Sequence, residues 1–141
     1  MRSSHMVQSV AFEVELKKPF DVAIGTVTTA LKIEGFGILT TIDVKATLKQ
    51  KLDKDFRPYV ILGACNPALA HRALVHEARI GILLPCNVTV EATDADSSIV
   101  RIGDPDALLG VGNLDQDPVV REIAAEARER LQRAARTLEQ G

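Results

Sequence analysis

The segment Pro58-Tyr59-Val60-Ile61-Leu62-Gly63-Ala64-Cys65-Asn66-Pro67 constrains the fold more than any other part of the chain. The uncharged run Tyr59–Cys65 stands between two prolines and has the length of a strand. It is far short of the roughly 20 apolar residues that a spanning helix needs. Such a continuous run is typical of a strand buried on both faces. Asn66-Pro67 directly after it supplies a helix cap and a first-turn proline, so the chain should pass from strand into helix there. A second apolar run, Ile80-Gly81-Ile82-Leu83-Leu84, is broken by Pro85 and reads as another strand. If the two strands are parallel and joined by a helix over 67–78, both carboxyl ends reach one edge of the sheet. In open α/β sheets that edge is where ligands bind.

The remaining elements follow from periodicity. Gln8–Leu16 alternates Val10, Phe12, Val14 and Leu16 with Ala11, Glu13 and Glu15, the pattern of a half-buried strand. Pro19 opens a helix carrying Phe20, Ala23, Ile24, Val27, Ala30 and Leu31, and Gly35 ends it. Ile38–Ile42 is a strand, and Asp43 caps a short helix with Val44, Leu48 and Leu52 on one side. Asn87–Thr93 and Ser98–Ile102 form a hairpin, and 103–116, rich in Gly, Asp and Pro, reads as a long ordered loop. The last helix, opened by Asp117-Pro118, has Val120, Ile123, Ala124, Ala127, Leu131, Ala134, Ala135 and Leu138 in one stripe. The order β-α-β-α-β-α-β-β-β-α implies a two-layer α/β (α+β) sandwich with a mixed sheet of about six strands.

The chain has 141 residues, and Met1–Met6 (MRSSHM) has the look of an expression-vector scar. Residues 7–141 are then one domain. A net charge of −2 and only five aromatic residues, without Trp, weigh against nucleic-acid binding. No run is long enough to span a membrane, so the cytoplasm is the expected compartment, with both cysteines reduced.

Phosphate-loop, dinucleotide-fingerprint, HExxH and CxxC motifs are missing. What stands out is that each of the two cysteines is followed by Asn, as Cys65-Asn66 and Cys86-Asn87. Each pair follows an apolar run, and Cys65 also precedes a helix N-terminus, whose partial positive charge favours a thiolate. Thiol attack, a redox dithiol and soft-metal coordination are all open to such a pair. So is an architectural role, because free cysteine is commonly buried and Asn66 already caps a helix. Two cysteines do not fill a four-ligand metal site, so His71, Asp104 or a second subunit would have to contribute. His71 and His76 point about 140° apart on a helix and cannot share a ligand. Arg57, ahead of the buried strand, is a further ligand-binding candidate, with a surface ion pair as the alternative.

The blocks Phe36-Gly-Ile-Leu-Thr-Thr-Ile-Asp43, Phe56-Arg-Pro-Tyr-Val-Ile-Leu-Gly-Ala-Cys-Asn-Pro67 and Ile80-Gly-Ile-Leu-Leu-Pro-Cys-Asn-Val88 resemble the signature blocks of the domain-of-unknown-function family numbered 302. The resemblance runs from about Phe12 to Asp104-Pro105 and on into the last helix. It implies a small prokaryotic cytoplasmic α/β domain that is usually a homodimer, and supplies no activity, substrate or cofactor. Thr41 stands where the family often carries Glu, so no role resting on that carboxylate carries over.

The expectation is therefore a non-enzymatic homodimer that binds a small ligand or partner at the Cys65/Cys86 edge, with Asn66, Asn87 and Arg57 as further contacts. The competing expectation is a thiol-dependent redox enzyme or soft-metal handler using Cys65 and Cys86, with His71 as a possible third ligand.

Overall fold

A computed structural model describes residues 9–140. The segment Met1–Met6 lies outside the described residues. Five strands, β1 (Ala11–Leu16), β2 (Gly37–Asp43), β3 (Tyr59–Cys65), β4 (Cys86–Asp94) and β5 (Ser97–Gly103), form one sheet in the order β1-β5-β4-β3-β2. Every neighbouring pair is antiparallel, so among the described residues the sheet is neither mixed nor six-stranded. The helices are α1 (Phe20–Ile33), α2 (Val44–Leu52), α3 (Pro67–His76), α4 (Pro105–Leu108) and α5 (Pro118–Gln140).

The missing strand is Ile80–Leu84: all of it but Leu84 lies within a 3-10 segment, Ala78–Leu83, capped by the Glu77 carboxylate on the Arg79 amide. Only Ile80 is buried there, while Ile82 is 88% exposed. The topology explains why. The ten residues of α3 run about 15 Å out from the end of β3, and the six of the 3-10 segment bring the chain about 12 Å back. A return to the same edge makes β4 antiparallel to β3; a parallel partner would have to start at the far edge. The expected loop over 103–116 also condenses, into α4 and the 3-10 segment Val111–Gln116.

α1 and α5 pack on one sheet face, and α3 packs against α5. All eight expected stripe residues of α5 are buried there, with Val14, Leu16, Leu62, Val88, Val100 and Ile102 from the sheet. Burying each Val, Leu or Ile side chain among them contributes about 1.5–3 kcal/mol against the entropy of ordering the chain. β3 is not buried on both faces along its length: Val60, Leu62, Gly63 and Ala64 are buried, while Tyr59, Ile61 and Cys65 are half-buried. On the other face an ion chain crosses three strands, with Arg101 contacting Glu13 and Glu91, and Glu91 contacting Arg57. α2 buries none of its residues, and Leu52 is 61% exposed.

Candidate functional site

The edge where β3 ends and β4 begins is built by local sequence. Asn66 caps α3, its side-chain oxygen accepting from the Leu69 amide at 3.1 Å, and Pro67 occupies the first turn. The Asn66 side chain is itself buried, and Gly35 makes room for it. Gly35 ends α1 at φ +87°, and a Cβ there would stand 2.9 Å from Asn66 Nδ2. On the neighbouring strand, a Cβ at Gly63 would meet Thr40 Oγ1 at 2.2 Å and Pro85 Cγ at 2.8 Å. The Pro85 ring therefore packs where Gly63 has no side chain, and this sets the entry into β4.

β3 and β4 pair with Ala64 opposite Cys86, so Cys65 lies one position from that pair. Both cysteines are partly exposed, and both line a cavity of about 50 Å³. α3 closes it with Leu69 and Ala73, and α5 with Ile123 and Ala127; Phe36 and Ile80 complete the wall. The lining is apolar apart from the two thiols and Asn66. Burial, with a smaller contribution from the charge of Cys65, pushes the Cys86 thiol up to about 11. At neutral pH its thiolate fraction is thus on the order of 1 in 10,000.

Sequence reasoning brings Cys65, Asn66 and Cys86 to one edge, and the structure places them there, though by an antiparallel pairing in which Cys86 opens a strand. The other candidates lie elsewhere. Asn87 is exposed and absent from the cavity wall, since successive strand residues face opposite sides. Arg57 stands at the far end of β3, ion-paired with Glu91 and 4.5 Å over the Phe56 ring. His71 is exposed on α3 outside the cavity wall. The Asp104 carboxylate is held at 3.2 Å by Arg128 and caps α4 on the Asp106 amide. Among the described residues no group of three or more His, Cys, Asp or Glu could hold a metal ion.

Sequence reasoning missed the lid of the cavity, Pro105 and Leu109, which arrives from the segment read as a loop. The Asp104-Pro105 pair, a cap residue before a first-turn proline, is the signal that could have revealed it. It also missed the clasp between His76 Nε2 and Asp117 Oδ2, at 2.6 Å, joining the end of α3 to the cap of α5.

Fold and site together define a two-layer α/β domain with a five-stranded antiparallel sheet and a thiol-lined cavity at one edge. The chain belongs to the family described as domain of unknown function DUF302, whose model matches residues 12–138. It is similar to the uncharacterized conserved DUF302 protein of Bacillus stearothermophilus, known from a crystal structure, with 30% identity and a TM-score of 0.81. The likeness covers 93% of this chain and 99% of that one. No curated protein matches. Among the described residues no helix is long and apolar enough to cross a membrane.

Proposed function

We propose that the domain is a non-enzymatic, homodimeric binding module of the cytoplasm that takes a small ligand into the cavity at the Cys65/Cys86 edge. The observation that carries this reading is a mostly apolar cavity lined by Cys65, Cys86 and the buried Asn66. Cavities with apolar walls stay dry and accept small apolar or soft groups. The neutral state of Cys86 favours binding over thiol catalysis, because the thiolate is the nucleophile.

The partner in the dimer is a second copy of the chain. The sheet face bearing Ile61, Thr89 and Ile99 supports this, since α1 and α5 pack on the opposite one. Thr89 Oγ1 is buried there without a hydrogen-bond partner. Native mass spectrometry at micromolar concentration is expected to give the dimer mass, and a monomer would contradict this part of the reading.

Ligand access is tested with dissolved xenon, a probe that needs only apolar space, in amide-detected NMR. The amides of Leu69, Ala73 and Ala127 should shift on titration, and Ala73→Leu, which fills the cavity, should abolish the effect. Shifts confined to other residues, or none, would sink the reading.

A further inference from the structure

We infer that Asn66 Nδ2 is the polar anchor of this cavity, and that the ligand it selects is a small neutral molecule carrying a carbonyl oxygen. The inference rests on the reading of the cavity as a ligand site and names the chemistry of what enters it.

The helix cap fixes which way the Asn66 amide faces. Its Oδ1 accepts from the Leu69 amide and its backbone carbonyl accepts from the Ala70 amide, while Pro67 has no N–H to compete. A flipped amide would set Nδ2 against the Leu69 donor, so the orientation is settled by the hydrogen bonds. Nδ2 then carries two hydrogens and finds no acceptor among the described residues. Beside Gly35, where Nδ2 lies, the nearest side chain is Arg130, itself a donor and already held by the Glu34 carbonyl and the Glu126 carboxylate.

Asn66 is only 9% exposed, yet Nδ2 is not shut in. Among the described residues Thr89 Oγ1 is the only unpartnered side-chain nitrogen or oxygen closed off from solvent. Nδ2 therefore borders open space, and Asn66 lines the cavity together with Phe36, the residue after Gly35. An unpaired donor in a buried side chain is costly, and a ligand that brings an acceptor removes that cost.

The rest of the wall sets the class. Its other polar side-chain groups are two thiols, which are weak donors and weak acceptors. No cationic or carboxylate side chain lines it, so an ion would lose its hydration without gaining a partner. A water needs about 10–15 Å³ of such space, so roughly three to five non-hydrogen atoms fit in about 50 Å³. Small ketones, aldehydes and amides combine that size with an apolar body, no charge and one strong acceptor.

The test compares acetone with 2-methylpropene, which has nearly the same shape but a methylene in place of the carbonyl oxygen. Each is titrated into the full chain in amide-detected NMR. Both should shift the Leu69 and Ala73 amides, and acetone alone should move the Asn66 side-chain NH2 protons downfield. Asn66→Asp keeps an oxygen for the Leu69 amide and removes the donor. It should weaken acetone at least tenfold and change 2-methylpropene less than twofold. An Asn66 NH2 signal that stays still under acetone, as when Nδ2 only holds a water, would overturn the inference, and so would equal losses for both probes in the variant. The NH2 signal belongs to the unaltered chain and decides the matter even if the variant does not fold. If acetone fails while xenon still shifts the Leu69 and Ala73 amides, the anchor falls and the ligand cavity stands. If xenon fails as well, both fall.

Discussion

Cys86 stands directly opposite Ala64 across the β3–β4 ladder, one position from Cys65, and both cysteines line the cavity at that edge. The arrangement leaves Cys86 half-buried, with its thiol protonated at neutral pH. Iodoacetamide at pH 7 should therefore label Cys86 at least tenfold more slowly in the folded chain than in urea. Peptide mapping by mass spectrometry reads the two sites separately, and equal rates in both states would refute the burial argument.

The same thiol gives stability an alkaline limit. Its pKa rises on folding from the ordinary 9.0 to about 11. A raised pKa stabilises the fold fully below the unfolded value and is lost as pH climbs through the folded one. Unfolding free energy should thus fall by about 2–3 kcal/mol between roughly pH 9 and pH 11. Cys86→Ala should flatten that limb in denaturant titrations. A limb of unchanged depth in the variant would assign it to other groups.

Gly35 and Asn66 should behave as a coupled pair. Gly35→Ala places a Cβ at φ +87° and 2.9 Å from Asn66 Nδ2, which should cost about 1–3 kcal/mol. Asn66→Ala removes the cap of α3 and should cost about 1–2 kcal/mol. Together they should cost less than the sum, because the second change vacates the space that the first requires. Strict additivity in a double-mutant cycle would show that the close approach carries no energy.

These relationships differ in how far the sequence reveals them. The Asn66-Pro67 cap, the Gly35 stop and the α5 stripe are local patterns, and each appears where periodicity puts it. The run Ile80–Leu84 misleads because five apolar residues suit a buried strand and a half-exposed 3-10 turn equally well. The choice between them depends on where the chain must return, which is a property of the whole sheet. Cys65 and Cys86 reach one edge under either topology, so the site survives the wrong pairing. Asn87 does not survive it. With Cys86 opening β4 and facing the cavity, the next residue turns to the opposite side. Arg57 and Glu91 are 34 positions apart and meet only because β3 and β4 pair, so no local pattern announces them.

Glu91 should dominate the acid limb on the open sheet face. Burial alone would raise its carboxyl, but hydrogen bonds from Arg101 and Arg57 outweigh that and hold it below the ordinary value. A depressed pKa stabilises the fold above the unfolded value and is lost as pH falls through the folded one. Glu91→Gln should cost about 1–2 kcal/mol at pH 7, less than a fully buried pair because Arg57 is half exposed. The cost should shrink as pH drops below about 4.5. An equal cost at pH 7 and pH 3 would remove the ion pair as its cause.

Leu131, 0% exposed at the middle of the α5 stripe, should lose about 2–5 kcal/mol on change to Ala. Leu52→Ala on α2 should stay within about 0.5 kcal/mol, since α2 buries no residue. Chemical denaturation compares the two, and a Leu52 cost as large as that of Leu131 would mean that α2 is covered in solution.

Cys65 and Cys86 both line one mostly apolar cavity between sheet, α3 and α5. A NOESY spectrum of the folded chain, with the methyl groups of Ala64, Ala73 and Ala127 assigned, tests this most directly. The β-protons of both cysteines should show cross-peaks into that methyl set. A spectrum in which either cysteine shows none would contradict the shared cavity, and the proposed site would lose its basis.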